Sequence, residues 1–160
     1  DVERSRGLGD VYKRQGHLPP YAISKGRDRA GEVLHEPERL QKLFQLKNVH
    51  LYISGHHHAW YPSHVGSANL LSLGCMGSGP RQRLNDRTPP QQTITLLDLF
   101  SQQGELVETT IELDGLQVLP EQLLPSSLQP SVGPRLDLRS TRINLNNKST
   151  ANKKRLSVKT

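Results

Sequence analysis

A single cysteine, Cys75, in 160 residues excludes an intrachain disulfide, so the thiol must be buried, reactive or shared with another chain. A small buried hydrophobe is the default for such a residue. With nothing to pair, cysteine usage does not separate a reducing from an oxidising compartment, and localisation stays unassigned. Aromatic residues make up 4% of the chain and apolar residues 33%, which is low for this length, so part of it is expected to lie outside a packed core. No apolar run reaches ~18 residues, which excludes a membrane-spanning helix. The first residues carry no apolar signal core, and a chain that opens without Met is expected to have its true N-terminus elsewhere.

Acidic residues are scarce in one region only. Residues 1–120 hold 13 Lys/Arg and 13 Asp/Glu, whereas residues 121–160 hold 8 against 2 and supply the whole net charge of +6. A basic tail offers a sequence-independent attraction for nucleic acid that weakens with salt. This tail has no interleaved aromatics, so nucleic acid is not the partner that the sequence favours.

Along the chain, residues 1–15 show neither strand alternation nor helical period. They read as a polar arm, either natural or a translated scar, outside the core. Residues 16–35 contain Pro19 and Pro20 and a polar stretch through Lys25, Gly26, Arg27 and Asp28, the composition of a surface loop. Leu40, Leu43 and Phe44 recur at helical spacing behind Pro37, which predicts a helix over 37–47. The run 49–54, Val-His-Leu-Tyr-Ile-Ser, predicts a strand ending at Gly55. A second short strand is expected at 69–73, followed by a glycine-rich loop at 74–79. After a polar loop at 81–92, two β-rich runs at 93–100 and 105–113 predict a hairpin. Beyond Gly115, prolines at 120, 125, 130 and 134 and a basic end predict a disordered tail over 115–160.

The histidines carry the chemistry. Of seven, His56, His57 and His58 stand together directly after a predicted strand and a glycine. If that segment stays extended, His56 and His58 point to one side, ~6.6–6.8 Å apart in rise, while His57 faces away. Such a pair can serve one metal ion or touch two neighbouring ones, and two ions ~3.5–4 Å apart suit in-line displacement at phosphorus. A solvated histidine-rich turn is the plain alternative. His17 strengthens the metal reading, because Leu18-Pro19-Pro20 after it fixes the backbone.

Gly55-His56-His57-His58 resembles the Gly-His-x-His motif that ends the metal-site sequence of calcineurin-like metallophosphoesterases. Gly16-His17-Leu18-Pro19-Pro20-Tyr21 is similar to the isolated histidine motif that precedes it. The resemblance covers residues 16–114. It implies an α/β fold, the C-terminal part of a metallophosphoesterase-type α/β/β/α sandwich, with His17 and His56 ligating one metal and His58 the other. His57 holds the variable position and inherits no role. It further implies two divalent transition metals (Mn, Fe or Zn), a phosphoester substrate and hydrolysis of phosphomonoesters or phosphodiesters. The family's Asp-x-His, Gly-Asp and Gly-Asn-His motifs are not found before His17. Gly9-Asp10 lies too close to His17 to serve, and no core strand is expected there. This chain alone is therefore expected to be inactive. The alternatives are a catalytically inert metal-binding or interaction module of the same fold, and nonspecific nucleic-acid binding through the tail. The sequence assigns no oligomeric state.

Overall fold

The structure, a computed structural model, describes residues 12–77 and 79–146. In chain order these form β1 (Tyr12–Gly16), α1 (Pro37–Leu46), β2 (Val49–Ser54), β3 (Tyr61–Val65), β4 (Ala68–Ser72), β5 (Thr93–Phe100) and β6 (Glu105–Glu112). A 3-10 turn (Glu121–Leu123) then leads to β7 (Ser127–Leu128), β8 (Leu136–Leu138) and β9 (Arg142–Asn144). The fold is mixed α and β, mostly sheet with one α-helix. Among the described residues no helix is long and apolar enough to cross a membrane.

Six strands make one mixed sheet in the order β1-β2-β4-β3-β8-β7, and three make an antiparallel sheet in the order β5-β6-β9. Helix α1 begins at Pro37, whose missing N–H goes unused in a first turn, with Glu38 beside the positive end of the helix. Its Phe44 packs on the Tyr52 ring of β2, with centroids 5.2 Å apart. Asn48 then adopts a positive φ of 50°, which Asn tolerates better than most residues, and turns the chain into β2. The last four residues of β2 are all buried, as expected of a strand flanked on both sides by parallel neighbours, β1 and β4.

Alternation explains the second sheet. Leu106, Glu108 and Thr110 of β6 face inward and their neighbours outward. One hydrophobic cluster joins residues of both sheets, among them Leu51, Tyr61 and Leu71 from the first and Leu106 and Ile143 from the second. Arg139 ties the two sheets together. Its guanidinium donates to the Leu70 carbonyl of β4 at 3.1 Å and pairs with the buried Glu108 carboxylate of β6.

Two sequence expectations need correction. Residues 12–16 are not a polar arm: they form β1, paired in parallel with β2 as far as Gly16 opposite Ser54. An edge strand keeps Arg14 and Gln15 exposed, so it carries no apolar alternation, and backbone pairing alone places it. Residues 1–11 lie outside the described residues.

Nor is the chain without a packed core from residue 115 onward. Strands β7 and β8 extend the first sheet beyond β3, and β9 joins β6. Leu124, Leu128, Leu136, Ile143 and Leu145 are buried, and the Tyr61 hydroxyl donates to the Pro125 carbonyl at 2.9 Å. The prolines separate these two- and three-residue strands instead of abolishing structure. Residues 147–160 of the expected tail lie outside the described residues.

Candidate functional site

Parallel pairing builds the site. Because Gly16 sits opposite Ser54, β1 and β2 end side by side, and His17 and His56 emerge from neighbouring strand ends. This is the edge where ligands bind in open α/β sheets. The Gly55 N–H donates to the His17 carbonyl at 3.2 Å, clamping the two ends together. Gly16 is required by close approach, since a Cβ there would lie 2.1 Å from the Tyr52 hydroxyl. That hydroxyl donates to the Leu18 carbonyl at 3.1 Å, holding the loop that follows His17. A cleft of about 340 Å³ opens here, lined by Gly16, His17, Ile53, Ser54, Gly55 and Leu73. It is open to solvent, unlike the enclosed clefts that bury most of a small ligand.

After Ser54 the chain is not extended. His56 has φ 63° and His58 φ 50°, and the His57 N–H donates to the Gly55 carbonyl at 2.7 Å, so His56 sits at the centre of a tight turn. Left-handed backbone at two non-glycine residues stores strain, of the kind found at binding sites. The expectation that His56 and His58 share one side of an extended segment therefore gives way to a sharp turn, in which His56 and His57 both face Glu32 and His58 leaves toward Gly79.

His17 and His56 come together, with Nε2 of His17 3.0 Å from Nδ1 of His56 and ring centroids 4.8 Å apart. His58 instead places Nδ1 3.2 Å from the Gly79 carbonyl. His57 turns inward and is fully buried. Its Nδ1 accepts from the Ile23 and Ser24 N–H groups at 3.1 and 3.4 Å, and its Nε2 lies 3.0 Å from the Glu32 carbonyl. Those partners specify a neutral ring with the proton on Nε2. Burial, the leading cause, pushes its pKa down to about 4. His57 is thus the pin that holds the 16–35 loop against the strand end.

Glu32 escaped the sequence reading. Its Oε2 lies 2.6 Å from His56 Nε2, and its carboxylate also takes Arg27 and Arg29. Hydrogen bonds from Arg27 first, and then His56, hold the carboxyl down at about 2. The available signal was one acid placed after Arg27 and Arg29 in a loop whose Gly26 and Gly31 both take positive φ, at 77° and 86°.

Nitrogens 3.0 Å apart make a direct ring-to-ring hydrogen bond; an ion on both, with metal–nitrogen bonds of ~2.0–2.1 Å, would subtend roughly 90–100°, narrower than the tetrahedral angle. Among the described residues no group of three or more His, Cys, Asp or Glu side chains is placed to hold an ion. Cys75 is buried, as a structural thiol is. No protein-family model matches the chain, and no curated protein matches it either.

Proposed function

We propose that this chain carries part of the metal site of a phosphoester hydrolase of the calcineurin-like kind, its sheets belonging to an α/β/β/α sandwich. The observation that supports this most is the approach of His17 and His56 at the ends of two adjacent parallel strands, nitrogen to nitrogen at 3.0 Å. In this reading His17 offers Nε2 and His56 offers Nδ1 to one ion, and His58 serves a second after releasing Gly79. Two such ions, Mn, Fe or Zn, would supply Lewis-acid activation of water and of the phosphate oxygens when bound. The cleft beside His17 admits the phosphoester. Imidazoles give neither a bridging carboxylate nor charge balance, so these residues hold metal weakly and turn over negligibly until aspartate and asparagine ligands join them.

The test is phosphoesterase activity with Mn or Zn on the chain alone and joined to a segment bearing the Asp-x-His, Gly-Asp and Gly-Asn-His motifs. The joined form should turn over, and His56→Ala or His58→Ala should abolish that without unfolding it. Full activity from the chain alone would overturn the ligand assignment. The engagement of His58 with the Gly79 carbonyl favours a second reading, an inert module of the same fold. A joined form that binds metal but hydrolyses nothing would select that reading.

A further inference from the structure

His56 has a different partner on each ring nitrogen. Nδ1 faces His17 at 3.0 Å and Nε2 faces Glu32 Oε2 at 2.6 Å. The two nitrogens point away from each other across the ring, so an ion on Nδ1 lies out of reach of that carboxylate oxygen. Glu32 is therefore no ligand to the same ion. An ionised carboxylate only accepts hydrogen bonds, so Nε2 must carry a proton, and in the neutral ring Nδ1 then presents its lone pair. A histidine fixed in this way by a carboxylate is a better-oriented and more basic ligand.

The surroundings of Glu32 keep it in place. The Leu34 N–H donates to the Pro19 carbonyl at 3.0 Å and the Glu32 N–H to the Arg29 carbonyl at 3.3 Å, folding the loop back. The Glu32 carbonyl also lies against buried His57. Arg27 shares Oε2 and Arg29 takes Oε1, so the carboxylate is gripped from both ends. Its side chain is 12% exposed.

From this geometry we infer that Glu32 is a positioning residue, which locks His56 in the Nε2–H tautomer with its Nδ1 lone pair turned to His17. With both rings neutral, the proton between them then belongs to His17 Nε2. An ion held between the two rings would need that nitrogen free, with the His17 proton on Nδ1 instead. Only this last step rests on the metal reading proposed above.

Two readouts on the full chain separate the claims. With ¹⁵N-labelled histidine in chelator-treated buffer, long-range proton–nitrogen correlation should show His56 protonated on Nε2 in the wild type. Glu32→Gln keeps an oxygen acceptor and should preserve that tautomer, while Glu32→Ala should give a mixture. A wild-type ring protonated on Nδ1, or a Glu32→Ala ring unchanged from wild type, overturns the inference. Glu32→Ala also frees Arg27 and Arg29, and if it fails to fold, the wild-type tautomer decides alone. Calorimetric titration with Zn(II) should then show ~10–100-fold weaker binding in Glu32→Ala. Equal affinity in that variant, for binding that His56→Ala abolishes, would overturn the positioning role. A wild type with the Nε2–H tautomer but no Zn(II) binding would leave that role standing and remove the metal reading.

Discussion

His57 makes acid pH a specific threat to this fold. Its ring is fully buried and must stay neutral, because Nδ1 accepts two backbone N–H groups and a proton there would meet donors head-on. In the unfolded chain the same ring titrates near 6.5, and in the folded chain near 4. Between those values the unfolded state binds the proton and the folded state does not. Stability from this residue is therefore complete above ~6.5, falls as the pH drops and levels off below ~4. At ~1.4 kcal/mol per pH unit the full effect is about 3 kcal/mol. Urea denaturation from pH 7 to pH 4, in chelator-treated buffer, measures it against His57→Gln, whose amide cannot titrate. At pH 7 the variant should be the less stable by about 1–3 kcal/mol, because the flexible amide must be ordered to meet the three backbone groups that the rigid ring meets already. The wild-type advantage should fall by about 3 kcal/mol on going to pH 4, enough to abolish or reverse it, while contributions from carboxylates common to both proteins cancel. A difference that stays constant across this range would refute the buried neutral ring.

Two further predictions concern the framework around the site. Gly16→Ala should destabilise the chain by about 1–3 kcal/mol, because the new methyl meets the Tyr52 hydroxyl. Adding Tyr52→Phe should recover part of that loss, and thermal denaturation of the single and double variants checks it. Arg139→Ala should cost about 3–5 kcal/mol by chemical denaturation, since it leaves the Glu108 carboxylate buried without its ion pair between the sheets.

The elements built on long patterns were legible in the sequence. Leu40, Leu43 and Phe44 at helical spacing gave α1, the β-branched and aromatic run 49–54 gave β2, and two β-rich runs around Gly104 gave the β5–β6 hairpin. Strand β1 was not legible because Arg14 and Gln15 point to solvent at a sheet edge, where only backbone pairing matters. Strands β7 to β9 were hidden because two or three residues are too short to show a period, and the spaced prolines resembled a disordered segment. Within the site, proximity of His17 to the triple histidine was expected from the strand-end motif and is found for His56. The turn at His56 and His58 could not be read, because left-handed backbone at histidine leaves no compositional mark. Glu32 was hidden by distance, 24 residues from the ring it touches.

The most direct test of the account is a calorimetric Zn(II) titration of the full chain at neutral pH, comparing wild type with His17→Ala, His56→Ala and His35→Ala. His35 is exposed and belongs to no site described above. Weak binding in the wild type that is lost in both His17→Ala and His56→Ala, and unchanged in His35→Ala, is the predicted result. Binding that survives removal of His17 or His56, or that weakens with His35, would contradict a metal held between the two strand ends.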